Sequence, residues 1–210
     1  MKKYSFTGEV KLHCGIELKQ IKAEISFGNV VKGEIGGWIE KEENLDHSGD
    51  AWVYGDAWVY GSAWVYGSAR VSGSARVSGD AWVYGDAWVS GSARVSGSAR
   101  VYGSARVYGS ARVYGSARVY GSARVYGSAS LTWTSCIGSR NDTTTFFRSK
   151  LGIEVSCGCY LGTIEDFEKR VEDTHGDNEH GKIYKLAIEI AKTKIKVTEG
   201  EFDEETEPRD

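Results

Sequence analysis

The sequence predicts a mainly β protein built on a parallel β-helix of about five triangular coils, and three observations lead there. The first is a six-residue unit, Gly-Asp/Ser-Ala-Trp/Arg-Val-Tyr/Ser, that repeats from Gly49 to Ala129 without insertion or deletion. The second is valine at every sixth position from Val53 to Val125, a phase that continues through Leu131 and Ile137. The third is glycine at the head of each unit, where a turning chain needs backbone angles that side chains disfavour. A period of six holds one short strand and one corner, so three units close a triangle. Fifteen units in phase give five coils, roughly 24 Å long at about 4.8 Å per strand.

Strand alternation decides which side chains enter the core. Valine and the alanine two residues before it share the inner face. The residues flanking valine, Trp or Arg before and Tyr or Ser after, share the outer one. The Asp or Ser after each glycine bonds local amides at the corner. A buried valine contributes about 1.5–3 kcal/mol relative to exposure, so the coils stabilise one another by stacking. No coil is expected to stand alone.

Residues 1–48 precede the repeat and read as an N-terminal β cap and lead-in. Tyr4 and Phe6, Val10 and Leu12, Ile16 and Leu18, then Ile21, Ala23 and Ile25 alternate between glycines, as a small β-meander does. Its expected task is to cover the first coil, since an open β-helix end exposes unpaired backbone. The repeat is taken to span residues 49–140. Residues 141–198 read as an α+β unit: a β-hairpin over 143–160, then two helices. Thr163 caps the first with Asp166 nearby, and Ile164, Phe167 and Val171 face inward before a stop at Gly176. The second should run from about Asn178 to Lys196 with Ile183, Leu186, Ala187 and Ile190 inward. From Glu199 to Asp210 the chain is acidic and nearly free of apolar groups, the composition of a disordered tail.

Two motifs carry a resemblance. The lead-in Gly36-Gly37-Trp38-Ile39-Glu40, with Glu42, Asn44 and Leu45, resembles that of a family of bacteriophage and prophage hexapeptide-repeat proteins. Ser156-Cys157-Gly158-Cys159-Tyr160, then Gly162, Thr163 and Ile164, and finally Thr174-His175-Gly176, resemble the way the same family closes. The likeness covers the chain except its acidic tail. It implies a phage or prophage origin and no particular activity. Hexapeptide-repeat acyltransferases and γ-class carbonic anhydrases, which the repeat also resembles, imply a left-handed β-helix; general crossover chirality favours the opposite hand.

Chemistry is weighed on the same residues. An acyltransferase reading implies a histidine base and an extruded loop, and a carbonic anhydrase reading three histidines around zinc. No histidine and no interruption occurs between Gly49 and Ala129. The expectation is therefore a non-enzymatic protein with no cofactor and no metal site. Cys14, Cys136, Cys157 and Cys159 lack a paired Cys-x-x-Cys spacing and are expected to be reduced, small packing residues. A site drawing Cys157 and Cys159 together with His13, His175 and His180 is the less favoured alternative. His47 is expected at a corner of the first coil.

The chain carries a net charge of −3, but the repeat holds 8 arginines against 4 aspartates. A chain this acidic overall argues against general nucleic-acid binding. The opening Met-Lys-Lys has no apolar core behind it, and no run reaches about 18 apolar residues. A cytoplasmic protein without membrane contact is expected.

Residues 18 apart stack, so the outward positions sort into three faces. Face one carries Trp52, Arg70, Trp88, Arg106 and Arg124. Face two carries Trp58, Arg76, Arg94 and Arg112, with Tyr60, Ser78, Ser96 and Tyr114 beside them. Face three carries Trp64, Trp82, Arg100 and Arg118 beside an unbroken run of Tyr66, Tyr84, Tyr102 and Tyr120. Trp64, Trp82 and that tyrosine run form the candidate surface for a homo-oligomer, since apolar surface of this extent is commonly a contact site. Arg94, Arg100, Arg106, Arg112, Arg118 and Arg124, next to Tyr102, Tyr108, Tyr114 and Tyr120, are the candidate binding groups for a host protein or an anionic nucleotide. The bland reading is that these arginines and tyrosines merely stack and solubilise. The serines on faces one and two are expected to leave shallow recesses.

Overall fold

A computed structural model describes residues 2–127, 131–149 and 151–197 of the chain. Three antiparallel strands open it, β1 (Tyr4–His13), β2 (Ile16–Ala23) and β3 (Ile35–Ile39). Thirteen strands of two or three residues follow, one per hexad, from β4 (Trp52–Val53) to β16 (Arg124–Tyr126). Each pairs in parallel with a strand 18 residues away, Trp64 with Trp82 and Val65 with Val83, for example. The valines and alanines of the hexads fill the interior at no more than 1% exposure. Across the coils Trp64 N donates to Ala81 O at 2.9 Å and Tyr66 N to Val83 O at 3.1 Å. This ladder pairs the backbone of each coil with that of the next.

Glycine at the corners is required twice over. Gly91 has φ +65°, and a Cβ there would lie 3.0 Å from the backbone of Gly109 in the next coil. The corners thus stack backbone on backbone.

The first rungs lie earlier in the chain than the hexads indicate. Trp38 and Ile39 pair in parallel with Trp58 and Val59, and Leu45 bridges to Val65. The offset here is two residues longer than the hexad rule allows, so the lead-in is itself the first part of a coil. Gly37 occupies an alanine position because a Cβ would meet Ala57 O at 2.6 Å. The N-terminal strands cover the first coil, with Tyr4, Ile21, Ala23 and Val30 packed into the end of the solenoid core. They continue face two along the stacking direction of the coils into one seven-stranded sheet, while Phe27 packs edge-on against Trp52 at 5.4 Å.

At the other end the hexad phase misleads. Leu131–Ile137, in phase with the repeat, forms β17 and leaves the solenoid for an antiparallel sheet with β18 (Asp142–Ser149), β19 (Gly152–Cys157) and β20 (Tyr160–Thr163). Trp133 stands where the hexad needs a glycine, so the corner cannot form and the strand runs on. Two rungs lost here and two gained at the lead-in leave the total at about five coils. The unit after the repeat is therefore a four-stranded sheet with two helices, where the sequence indicates only a hairpin. Leu131 and Phe147 close the end of the solenoid core. Phe146 and Val155, on the opposite side of the sheet, pack on the helices.

Helix α1 (Ile164–His175) starts as expected: Thr163 accepts from Asp166 N at 3.2 Å, and Gly176 ends it. Helix α2 (Glu179–Lys194) is rotated from the expected phase. Tyr184, Ala187, Ile188 and Ala191 are buried, whereas Leu186 and Ile190 are exposed. A helix turns 100° per residue, and counting on Tyr184 as a core residue moves the inner stripe away from Leu186. No described helix is long and apolar enough to cross a membrane. The acidic tail from Glu199 lies outside the described residues.

Candidate functional site

The outer faces of the prism hold the candidate groups, and the strand pairing sets their spacing. On face three the rings of Tyr66, Tyr84 and Tyr102 stack at 4.8 Å with interplanar angles of 4° and 2°. Tyr102 and Tyr120 follow at 5.1 Å and 16°. The separation is the rung spacing itself, so the ladder follows from register. Each inner ring spends both faces on its neighbours and presents its edge and hydroxyl outward. Burial raises the phenols of Tyr66, Tyr102 and Tyr120 above the ordinary tyrosine value, keeping them neutral donors.

The two ends of face three differ. Tyr120 donates to Gly158 O at 2.6 Å and to Tyr160 O at 2.9 Å, which pins the ladder to the C-terminal sheet. Arg118 is paired there with Asp142 at 2.8 Å. Trp64 and Trp82 at the other end are 37% and 36% exposed. Trp64 stacks on Tyr66 at 4.2 Å, and Arg100 lies over Trp82 at 4.8 Å. Trp64, Trp82, Tyr66, Tyr84 and Tyr102 therefore come together as one continuous strip, with Tyr120 engaged at its closed end.

The arginine set is divided by the fold. Arg94, Arg100 and Arg112 are exposed, and Tyr114 is 43% exposed. Arg76, Arg94 and Arg112 form an in-register column on face two. Arg106 lies over Trp88 at 5.6 Å on face one, with Arg124 the next rung in its column. Tyr108 is buried and tilted against Tyr126. One expected recess is filled, because Trp88 Nε1 donates to Ser72 Oγ at 3.0 Å.

The lead-in proves to be a capping device. Asn44 Nδ2 donates to Gly61 O at 3.1 Å and Ala63 O at 2.8 Å, Glu40 Oε2 accepts from Gly61 N at 2.6 Å, and Lys3 Nζ donates to Ala51 O at 2.9 Å. These groups satisfy the backbone that the first coil would otherwise leave unpaired. Burial pushes the Lys3 ammonium down to about 8, against the opposing pull of Asp46 and Asp50. His47 does sit at this end, stacked on Tyr4 at 4.3 Å. The motif that carries the family resemblance is thus structural.

The alternative cysteine–histidine set is divided: Cys157 and His175 line one cleft of about 160 Å³, and the others lie outside it. His13 lies on Trp58 at 4.8 Å, by the N-terminal coil, while His175 and His180 are 5.8 Å apart beside α2. Cys14, Cys136 and Cys159 are exposed rather than packed. Cys157 alone is half-buried and accepts from Thr144 at 3.2 Å. Gly158, at φ +61°, turns the chain after it, so the two thiols do not share a strand face.

Residues 51–67, 69–85, 75–91, 93–109, 99–115, 105–121 and 111–127 match the family model described as the YdcK Beta solenoid repeat. No curated protein matches the chain. Each matched stretch is about one coil long, and the hexad array is thus similar to the YdcK beta-solenoid repeat.

Proposed function

We propose that this protein is a non-enzymatic binding or scaffold module that self-associates through face three. The observation that supports it most is the strip of Trp64, Trp82, Tyr66, Tyr84 and Tyr102, whose tyrosine rings are held parallel, each by the one below it. Rigid aromatic surface loses little side-chain entropy on contact. Face three also carries charge of both signs, with the carboxylates of Glu42, Glu43 and Asp46 beside Trp64 and Trp82 and Arg100 over Trp82. Two copies laid antiparallel about a two-fold axis would bring opposite charges together, the isologous contact commonest in dimers. The resemblance of the two end motifs supports a phage or prophage protein acting in the bacterial cytoplasm. Light scattering tests the reading: the wild type should exceed the monomer mass, and Tyr84→Lys/Tyr102→Lys should return to it.

A second reading is an inhibitor of host defence that holds a host protein or an anionic nucleotide on face two. The in-register column of Arg76, Arg94 and Arg112 supports it, because like charges directly opposite one another are unfavourable without a counter-charge. Calorimetry with cyclic and adenosine nucleotides should then give heat that Arg94→Ala/Arg112→Ala abolishes. Absence of heat across the panel, with no host protein retained, would contradict it.

A further inference from the structure

Each outer column begins with an aromatic ring at the N-terminal end, and on two faces that ring is covered. Phe27 meets Trp52 on face one. On face two Lys11 Nζ lies 3.9 Å over the Trp38 ring and pairs with Asp56 at 3.1 Å. On face three the residue in register above Trp64 is Asn44, and its side chain turns inward to the carbonyls of Gly61 and Ala63. The position over Trp64 is left as a cleft of about 540 Å³, lined by Glu42, Glu43, Asp46, His47, Trp64 and Trp82.

The molecule itself shows what such a position accepts. Arg76 lies 4.3 Å over Trp58, Arg100 4.8 Å over Trp82, and Lys11 over Trp38 with a carboxylate at its side. No cation among the described residues lies over Trp64. The rim is acidic. Lys2 at 2.6 Å and the more distant His47 engage Glu42, and Ser48 bonds Asp46, which also feels the buried Lys3; Glu43 is left exposed, and the rim holds three carboxylates against two lysines. An anion would be repelled here, and a purely apolar group would desolvate carboxylates without compensation.

We infer that this cleft is a cation-recognition site that takes the guanidinium or ammonium group of an arginine or lysine side chain from a partner polypeptide, stacked on Trp64 and paired with Glu43. The inference goes beyond self-association and does not depend on it.

The indole N–H signal of Trp64, assigned by its loss in Trp64→Phe, reports the site by nuclear magnetic resonance. Nα-acetyl-arginine amide should shift it saturably, and the uncharged Nα-acetyl-citrulline amide should not. Glu43→Gln, an exposed change that leaves the fold intact, should weaken the arginine probe about two- to fivefold. Titrations run on the wild type and on Tyr84→Lys/Tyr102→Lys separate this site from the oligomer. A shift only in the variant means that a second copy's basic side chain already fills the cleft in the wild type, which supports the site. A monomeric wild type that still binds the probe also supports it. No saturable shift in either protein, or an equal shift with citrulline, overturns the inference.

Discussion

Lys3 is buried with its ammonium against Ala51 O and 4.9 Å over the Phe27 ring. Its folded value of about 8 lies below the ordinary 10.5. Between those values the unfolded chain binds the proton and the folded chain does not, so stability rises with pH there, by at most roughly 1.4 kcal/mol per unit. Chemical denaturation at pH 7.5 and 9.5 should show the wild type gaining stability that Lys3→Met does not gain. The window stays below the titration of unfolded tyrosine near 10, above which Tyr4, whose phenol burial holds well up, begins to lose stability for the folded state. Asn44→Leu should cost about 2–3 kcal/mol, because two buried carbonyls lose their donor. The sequence displays Asn44 and Glu40 as a motif but hides their task. Their bonds reach about 20 residues along the chain, and only the offset of the first coil brings those partners together.

Among elements, the hexad strands were legible because one period fixes strand, corner and inner face at once. Gly91→Ala tests that corner directly: a positive φ and a 3.0 Å approach to Gly109 should together cost at least about 1 kcal/mol, read as a lower urea midpoint. Periodicity is a weaker guide at the C-terminal end of the repeat and in α2. Leu131 and Ile137 kept the phase of six, yet Trp133 at a corner position turns that segment into an ordinary strand of a different sheet. In α2 the aromatic Tyr184 sets the buried stripe, and an even spread of aliphatic residues around the helix concealed which side it would choose. α1 was legible because Thr163 and Gly176 mark both of its ends.

At the scale of the whole molecule, one sheet surface is graded from tryptophan and carboxylate at the N-terminal coils to arginine at the C-terminal ones. The ladder and its polarity were legible from residues 18 apart. The open position over Trp64 was not, since it exists only because Asn44 turns inward. Sorting by face also marked Tyr108 and Tyr120 as surface groups, whereas the C-terminal sheet and neighbouring rungs cover or engage them, contacts that no repeat pattern encodes. Sedimentation equilibrium over a concentration series tests the central claim most directly, with Arg94→Glu/Arg112→Glu on face two as the control. Self-association through face three predicts a wild type heavier than 23.0 kDa, the same mass for the face-two variant, and a monomer for Tyr84→Lys/Tyr102→Lys. A wild type that sediments as a 23.0 kDa monomer at every concentration would contradict it.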